Sequence, residues 1–222
     1  MTDIKEDQTK TQFEILLDRA TNRMLSALGA YHIWKWMEIA RNLNQPGGKE
    51  RTERNLEIMN RHNLFFAQLR DSTYKTFVAD LWIFFDKDGY DDAFSLDKLI
   101  ESTKDKLTQV QIDQIKNDIE KIKREHGVSI GFIQELRNAD VAHQEIDARP
   151  RHLNYASVEN LFAGVQKILN LISNTHSRSV HWWNHVEEEI DRQMNWILDN
   201  LERGEAARLK EIEEEWRADL SK

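Results

Sequence analysis

The chain has 222 residues, of which 40% are apolar and 32% charged, and it contains no cysteine. That length supports one full core, or a bundle with an appended helical tail, and the missing thiols rule out disulfides and thiolate chemistry. A net charge of −8 speaks against a broad basic nucleic-acid coat, while 31 lysines and arginines still suffice for a small, specific patch.

No apolar run approaches the roughly 20 residues that a bilayer crossing requires, so no membrane partner is expected. Met1–Lys10 is polar and lacks the apolar centre of a signal peptide, which makes the cytoplasm the expected compartment. Two prolines, eight glycines and an abundance of Leu, Glu, Lys, Arg, Ala and Ile describe an all-α protein.

A first helix is expected over Gln12–Leu43, because Phe13, Leu16, Leu17, Met24, Leu28, Tyr31 and Trp34 recur at three- and four-residue spacing. Gln45-Pro46-Gly47-Gly48 breaks it. A second long helix is expected from Arg51 to Phe85, turning Leu56, Met59, Leu64, Phe66, Leu69, Phe77, Leu81 and Phe84 inward. The loop Asp86–Asp92 has its glycine at the wrong position for a calcium-binding EF-hand and reads as a solvated turn. Ser95 caps a short helix to Lys106, and Thr108 caps another to about His126, with Gly127 as its stop. Further helices are expected over Ser129–Ile146, Ser157–Ile172 and Val180–Leu220, with a bend at Gly204. The division this suggests is a helical domain over 1–176 and an amphipathic extension over 177–222 that can pack on the same bundle.

Chemistry concentrates in Leu136-Arg137-Asn138-Ala139-Asp140-Val141-Ala142-His143. An arginine that never loses its charge, an amide and an imidazole that titrates near neutrality are equipment for cleaving RNA without a metal. His143 suits either the general base on the ribose 2′-hydroxyl or the general acid on the leaving 5′-oxygen. Arg137 suits the scissile phosphate, and Asn138 can orient the phosphate or the imidazole. On an ideal helix, however, Arg137 and His143 point about 120° apart. Either the helix is distorted at Asp140 or a second copy completes the site across a two-fold axis. The competing structural reading places His143 on a core face with Phe132, Leu136 and Ala139, and pairs Arg137 with Asp140 or in the neighbourhood of Glu135.

Leu136-Arg137-Asn138 followed by Val141-Ala142-His143 resembles the R-x(4–6)-H signature of the HEPN superfamily. The apolar helix ending in Phe84-Phe85-Asp86-Lys87-Asp88, then Ser95–Ile100, then the motif helix, is similar to its AbiU abortive-infection branch. The resemblance covers roughly residues 60–146. It implies a HEPN-like helical bundle with additional long helices, a symmetric homodimer, and in active members a metal-independent endoribonuclease used in phage defence or as a toxin. The site it implies is Arg137, Asn138 and His143, with RNA as partner, no cofactor and no metal, and an antitoxin or regulatory protein as a further partner. Where the branch often carries an Asp soon after the His, this chain reads Gln144-Glu145-Ile146-Asp147. The alternative within the same superfamily is a noncatalytic module that binds RNA, nucleotide or a partner protein.

Arg149, Arg151 and His152 follow the motif closely and are candidates for gripping flanking phosphates. His181 and His185 stand one turn apart with Glu188 and Glu189 nearby, but lack the Glu of the H-E-x-x-H pattern. Trp182, Trp183, Trp34 and Trp36 read as packing residues ahead of base-stacking ones. Glu211–Trp216 is suited to a partner helix.

Overall fold

A computed structural model describes residues 11–42, 49–86, 95–138, 154–177, 183 and 185–220. Among them are eight helices and no strand: α1 (Gln12–Ala40), α2 (Lys49–Arg61), α3 (Asn63–Trp82), α4 (Leu96–Glu101), α5 (Gln109–Glu125), α6 (Gly127–Leu136), α7 (Tyr155–Ser177) and α8 (His185–Leu220). The all-α expectation holds. None of the described helices is long and apolar enough to cross a membrane. The helices form two compact units, one of residues 1–28 and 75–183 and the other of residues 29–74 and 184–222.

In the first unit α5 packs on α4, α6 and α7, and α6 also packs on α7. Ile112, Ile115, Ile119 and Ile122 of α5 are buried at spacings of three, four and three, which lines one face of the helix. Gly164 of α7 lets that face approach, since a Cβ there would stand 3.0 Å from Ile122 Cδ1. Phe77, Val78 and Leu81 of α3 are fully buried. Beside them the buried carboxylate of Asp80 accepts hydrogen bonds from Arg23 at 2.5 Å and from the Ser26 hydroxyl at 2.7 Å. A carboxylate at 5% exposure needs such donors.

Two expected caps are present. Ser95 Oγ accepts from the Lys98 N–H at 3.2 Å. Thr108 forms a reciprocal capping box with Gln111, whose Oε1 accepts from the Thr108 N–H at 2.8 Å. Other boundaries differ from expectation. α4 stops at Glu101 because the hydroxyls of Ser102 and Thr103 donate back to the carbonyls of Leu99 and Ile100, at 2.7 and 2.6 Å, and compete with the helix. Gly127 opens α6, and His126 is the single residue between α5 and α6. The cap of α7 is Asn154, whose Oδ1 accepts from the Ser157 N–H at 3.3 Å, so α7 begins before Ser157 and runs through Asn174 to Ser177.

In the second unit the expected helix Arg51–Phe85 is two helices, interrupted at His62. Asn60, His62 and Asn63 are weak helix formers, and asparagine competes for backbone hydrogen bonds. The interruption leaves Leu64, expected inside, 74% exposed. Met37, Ile58, Met59, Phe66, Met194 and Leu198 make the apolar cluster of this unit. Along its rim Arg51 donates to Asn195 at 2.8 Å, and Arg54 bridges Asp199 and Glu202, both at 2.6 Å. Residue numbers rise together in these pairs, so α2 and α8 run in the same direction.

The hydrogen bonds from Arg54 hold Asp199 and Glu202 below the usual carboxylate range, and their acids in turn raise the Arg54 guanidinium. Carboxylates lowered in the folded state stabilise it above their unfolded value of about 4, and that contribution is lost as pH falls through the lowered values. Acid titration of stability should therefore fall off below about pH 4 in the parent protein. In Arg54→Met the same limb should be shallower, as read by denaturant unfolding at each pH.

Candidate functional site

The site begins on α6, a short helix whose buried side chains are Ile133 and Leu136. These two anchor it, and Arg137 and Asn138 follow directly. The Arg137 N–H donates to the carbonyls of Gln134 and Ile133, with φ −59° and ψ −42°, so the residue is still helical. At Arg137 and Asn138 the backbone widens to π winding. Such winding changes the angle at which later residues leave the axis and recurs at functional positions. The distortion expected at Asp140 lies outside the described residues.

The Arg137 side chain is half-buried and the Asn138 side chain exposed. Arg137 Nη1 donates to Asn138 Oδ1 at 3.0 Å. Among the described residues no carboxylate pairs with Arg137, which sets aside a neutralising partnership with Glu135. A guanidinium carries five N–H donors in a fixed fork, and among the described residues this one side-chain bond orients the group.

His143, Arg149, Arg151 and His152 lie outside the described residues, as do Asp140, His181 and Trp182. Arg137 and Asn138 are thus the expected site residues that the structure brings together. Gly131, six residues before Arg137, has open space where a Cβ would be. Gly131→Ala should raise stability by about 0.5–1 kcal/mol through lower unfolded-state entropy, seen as a higher melting temperature.

The remaining candidates take structural places. Trp183 is buried. Trp34 stands 5.9 Å from the Tyr74 ring and 6.3 Å from the Tyr31 ring. His185 heads α8, one turn before Glu189, and that carboxylate is held down by hydrogen bonds from Gln193 and Arg192. Among the described residues no group of three His, Asp or Glu side chains is placed to hold a metal.

One feature of the second unit carried no sequence signal. A recess of about 170 Å³ opens between α1 and α8, lined by His32, Lys35, Trp36, Glu187, Ile190 and Asp191. Lys35 bonds Glu187 at 2.9 Å, and the Trp36 indole N–H donates to Asp191 at 3.1 Å. The Lys35 bond lowers the Glu187 carboxyl against the opposing effect of burial. The partners are 152 positions apart, too far for local spacing to reveal. The Lys35–Glu187 and Trp36–Asp191 bonds tie α1 to α8 across it.

Comparison with known families finds a match to the HEPN AbiU2 family, described as AbiU2, over residues 11–195. No curated protein and no solved structure matches the chain. The family match takes in every described helix up to the first third of α8, including α6 and its Arg137–Asn138 end. The chain belongs to the AbiU2 family of HEPN proteins.

Proposed function

We propose that this protein is a metal-independent endoribonuclease of the HEPN type, acting in the cytoplasm in phage defence or as a toxin. The observation that carries the reading is the Arg137–Asn138 pair at the widened end of α6. It offers an oriented guanidinium with no carboxylate partner among the described residues. A permanent cation with planar donors is what a scissile phosphate and its developing charge need.

The reaction is a transesterification. The ribose 2′-oxygen attacks phosphorus, the bond to the 5′-oxygen breaks, and the products carry a 2′,3′-cyclic phosphate and a 5′-hydroxyl. One proton leaves the 2′-hydroxyl and one reaches the departing 5′-oxygen. His143 performs one of these transfers, and the same residue of a second copy, or water, performs the other. Arg149, Arg151 and His152 grip flanking phosphates. Because a 2′-hydroxyl is the nucleophile, RNA is cut and DNA is spared.

The test is incubation with RNA in excess EDTA, comparing the parent protein with His143→Ala. Cleavage that survives the chelator and disappears in the variant supports the enzyme. Intact RNA with both proteins, together with retained RNA binding, replaces this reading with the noncatalytic module.

A further inference from the structure

The last part of α8 presents an apolar stripe that nothing among the described residues covers. Met194 and Leu198 are buried in the cluster of the second unit. Counting on by threes and fours along the same face reaches Leu209, Ile212, Trp216 and Leu220, which are 53%, 37%, 72% and 88% exposed. Every residue after Glu205 in this helix is exposed. From Glu205 to Leu220 the helix extends for roughly 22 Å. A second uncovered apolar spot lies at the start of α3, where Leu64 and Phe65 are 74% and 51% exposed. Arg61 and His62, just before them, are near enough to Glu205 to lower its carboxyl, after the larger effect of its bond to Arg208.

We propose that this stripe is an antiparallel two-fold interface with a second copy of the chain, in which Leu209 faces the partner's Ile212. Sterics select the direction. In each copy the unit's core sits on the same face of α8 that carries the stripe. A parallel pair would press the two cores together, whereas an antiparallel pair sets them at opposite ends. Charge selects the register. With Leu209 against the partner's Ile212, Arg208 on the flank meets the partner's Glu215, and symmetry repeats the pair. Sliding by one heptad, to put Ile212 against the partner's Trp216, would set Glu215 against the partner's Glu215 and Glu213 against the partner's Glu213.

The favoured register brings the partner's Trp216 level with Glu205, where the stripe leaves the cluster of the second unit. Arg208 now pairs with Glu205 of its own helix at 3.1 Å. That is a surface pair that exchanges partners at little cost. Exposed tryptophan at the rim of such a seam is a residue type that dominates interfaces once desolvated.

The test is light scattering of the full chain after size exclusion at tens of micromolar, with no RNA and no activity readout, so it stands or falls separately from the nuclease reading. Ile212→Glu should halve the mass of the assembly while circular dichroism stays unchanged, because the position is on the surface of one helix. Arg208→Glu should weaken association by about tenfold, and adding Glu215→Arg to it should restore the parent behaviour. A mass indifferent to Ile212→Glu overturns the proposal, leaving the stripe to another segment of this chain or to a different protein. A charge exchange that fails to rescue association also overturns it, by removing the register.

Discussion

In the Arg137→Ala variant, RNA cleavage should fall by about 10²–10³-fold, the loss seen when one transition-state donor is removed from an enzyme site. Stability should move by less than about 0.5 kcal/mol, as expected for a substitution away from the core. The side chain is half-buried, and among the described residues it bonds only the next residue along the chain, Asn138. Little of the fold rests on it. Arg137→Lys keeps the charge but loses the planar fork, and should recover only part of the rate. A rate unchanged in Arg137→Ala under single-turnover conditions would remove the arginine from the chemistry.

The second expectation concerns the support beneath that arginine. Ile133, 1% exposed, is one of two buried side chains holding α6. Ile133→Ala should cost about 2–5 kcal/mol through lost burial and the cavity left behind, measured by denaturant unfolding. A helix as short as α6 has too little intrinsic stability to persist once detached. The loss should therefore reach the site, and cleavage should fall at temperatures where the unit as a whole is still folded. Gly131→Ala in the same helix is the counterpart. If Ile133→Ala lowered global stability and left cleavage at the parent level, α6 would not be what positions Arg137.

Several features of this architecture were legible residue by residue. Ser95 and Thr108 announced helix starts because a hydroxyl before an amphipathic run has a backbone N–H to accept from two or three residues later. The isoleucines of α5 announced a buried face by their spacing. Of the first helix's expected stripe, Phe13, Leu17, Met24, Leu28 and Tyr31 are buried, while Leu16 and Trp34 are only half-buried. The misses have local causes. At the start of α7, Asn154 and Ser157 are both competent caps three residues apart, and spacing does not rank them. At His62 the apolar pattern continues across the interruption, so periodicity reported one helix where weak helix formers divide it into two. In the candidate site, Arg137 and Asn138 were readable as residue types, but the π winding beneath them was not, because hydrogen-bond register leaves no mark in composition.

Residues along the chain were enough to set its helical class, its resemblance to the HEPN superfamily through Arg137, Asn138 and His143, and the amphipathic character of α8 throughout its length. Met194, Leu198, Ile212 and Trp216 fall on one face of that helix and have the same periodicity. Packing alone separated them, burying the first two against α1, α2 and α3 and leaving the last two in water. An apolar stripe states that a helix needs a neighbour, but which part of it finds one within the same molecule depends on where distant segments end. Here α2 stops at Arg61, and α8 continues past it.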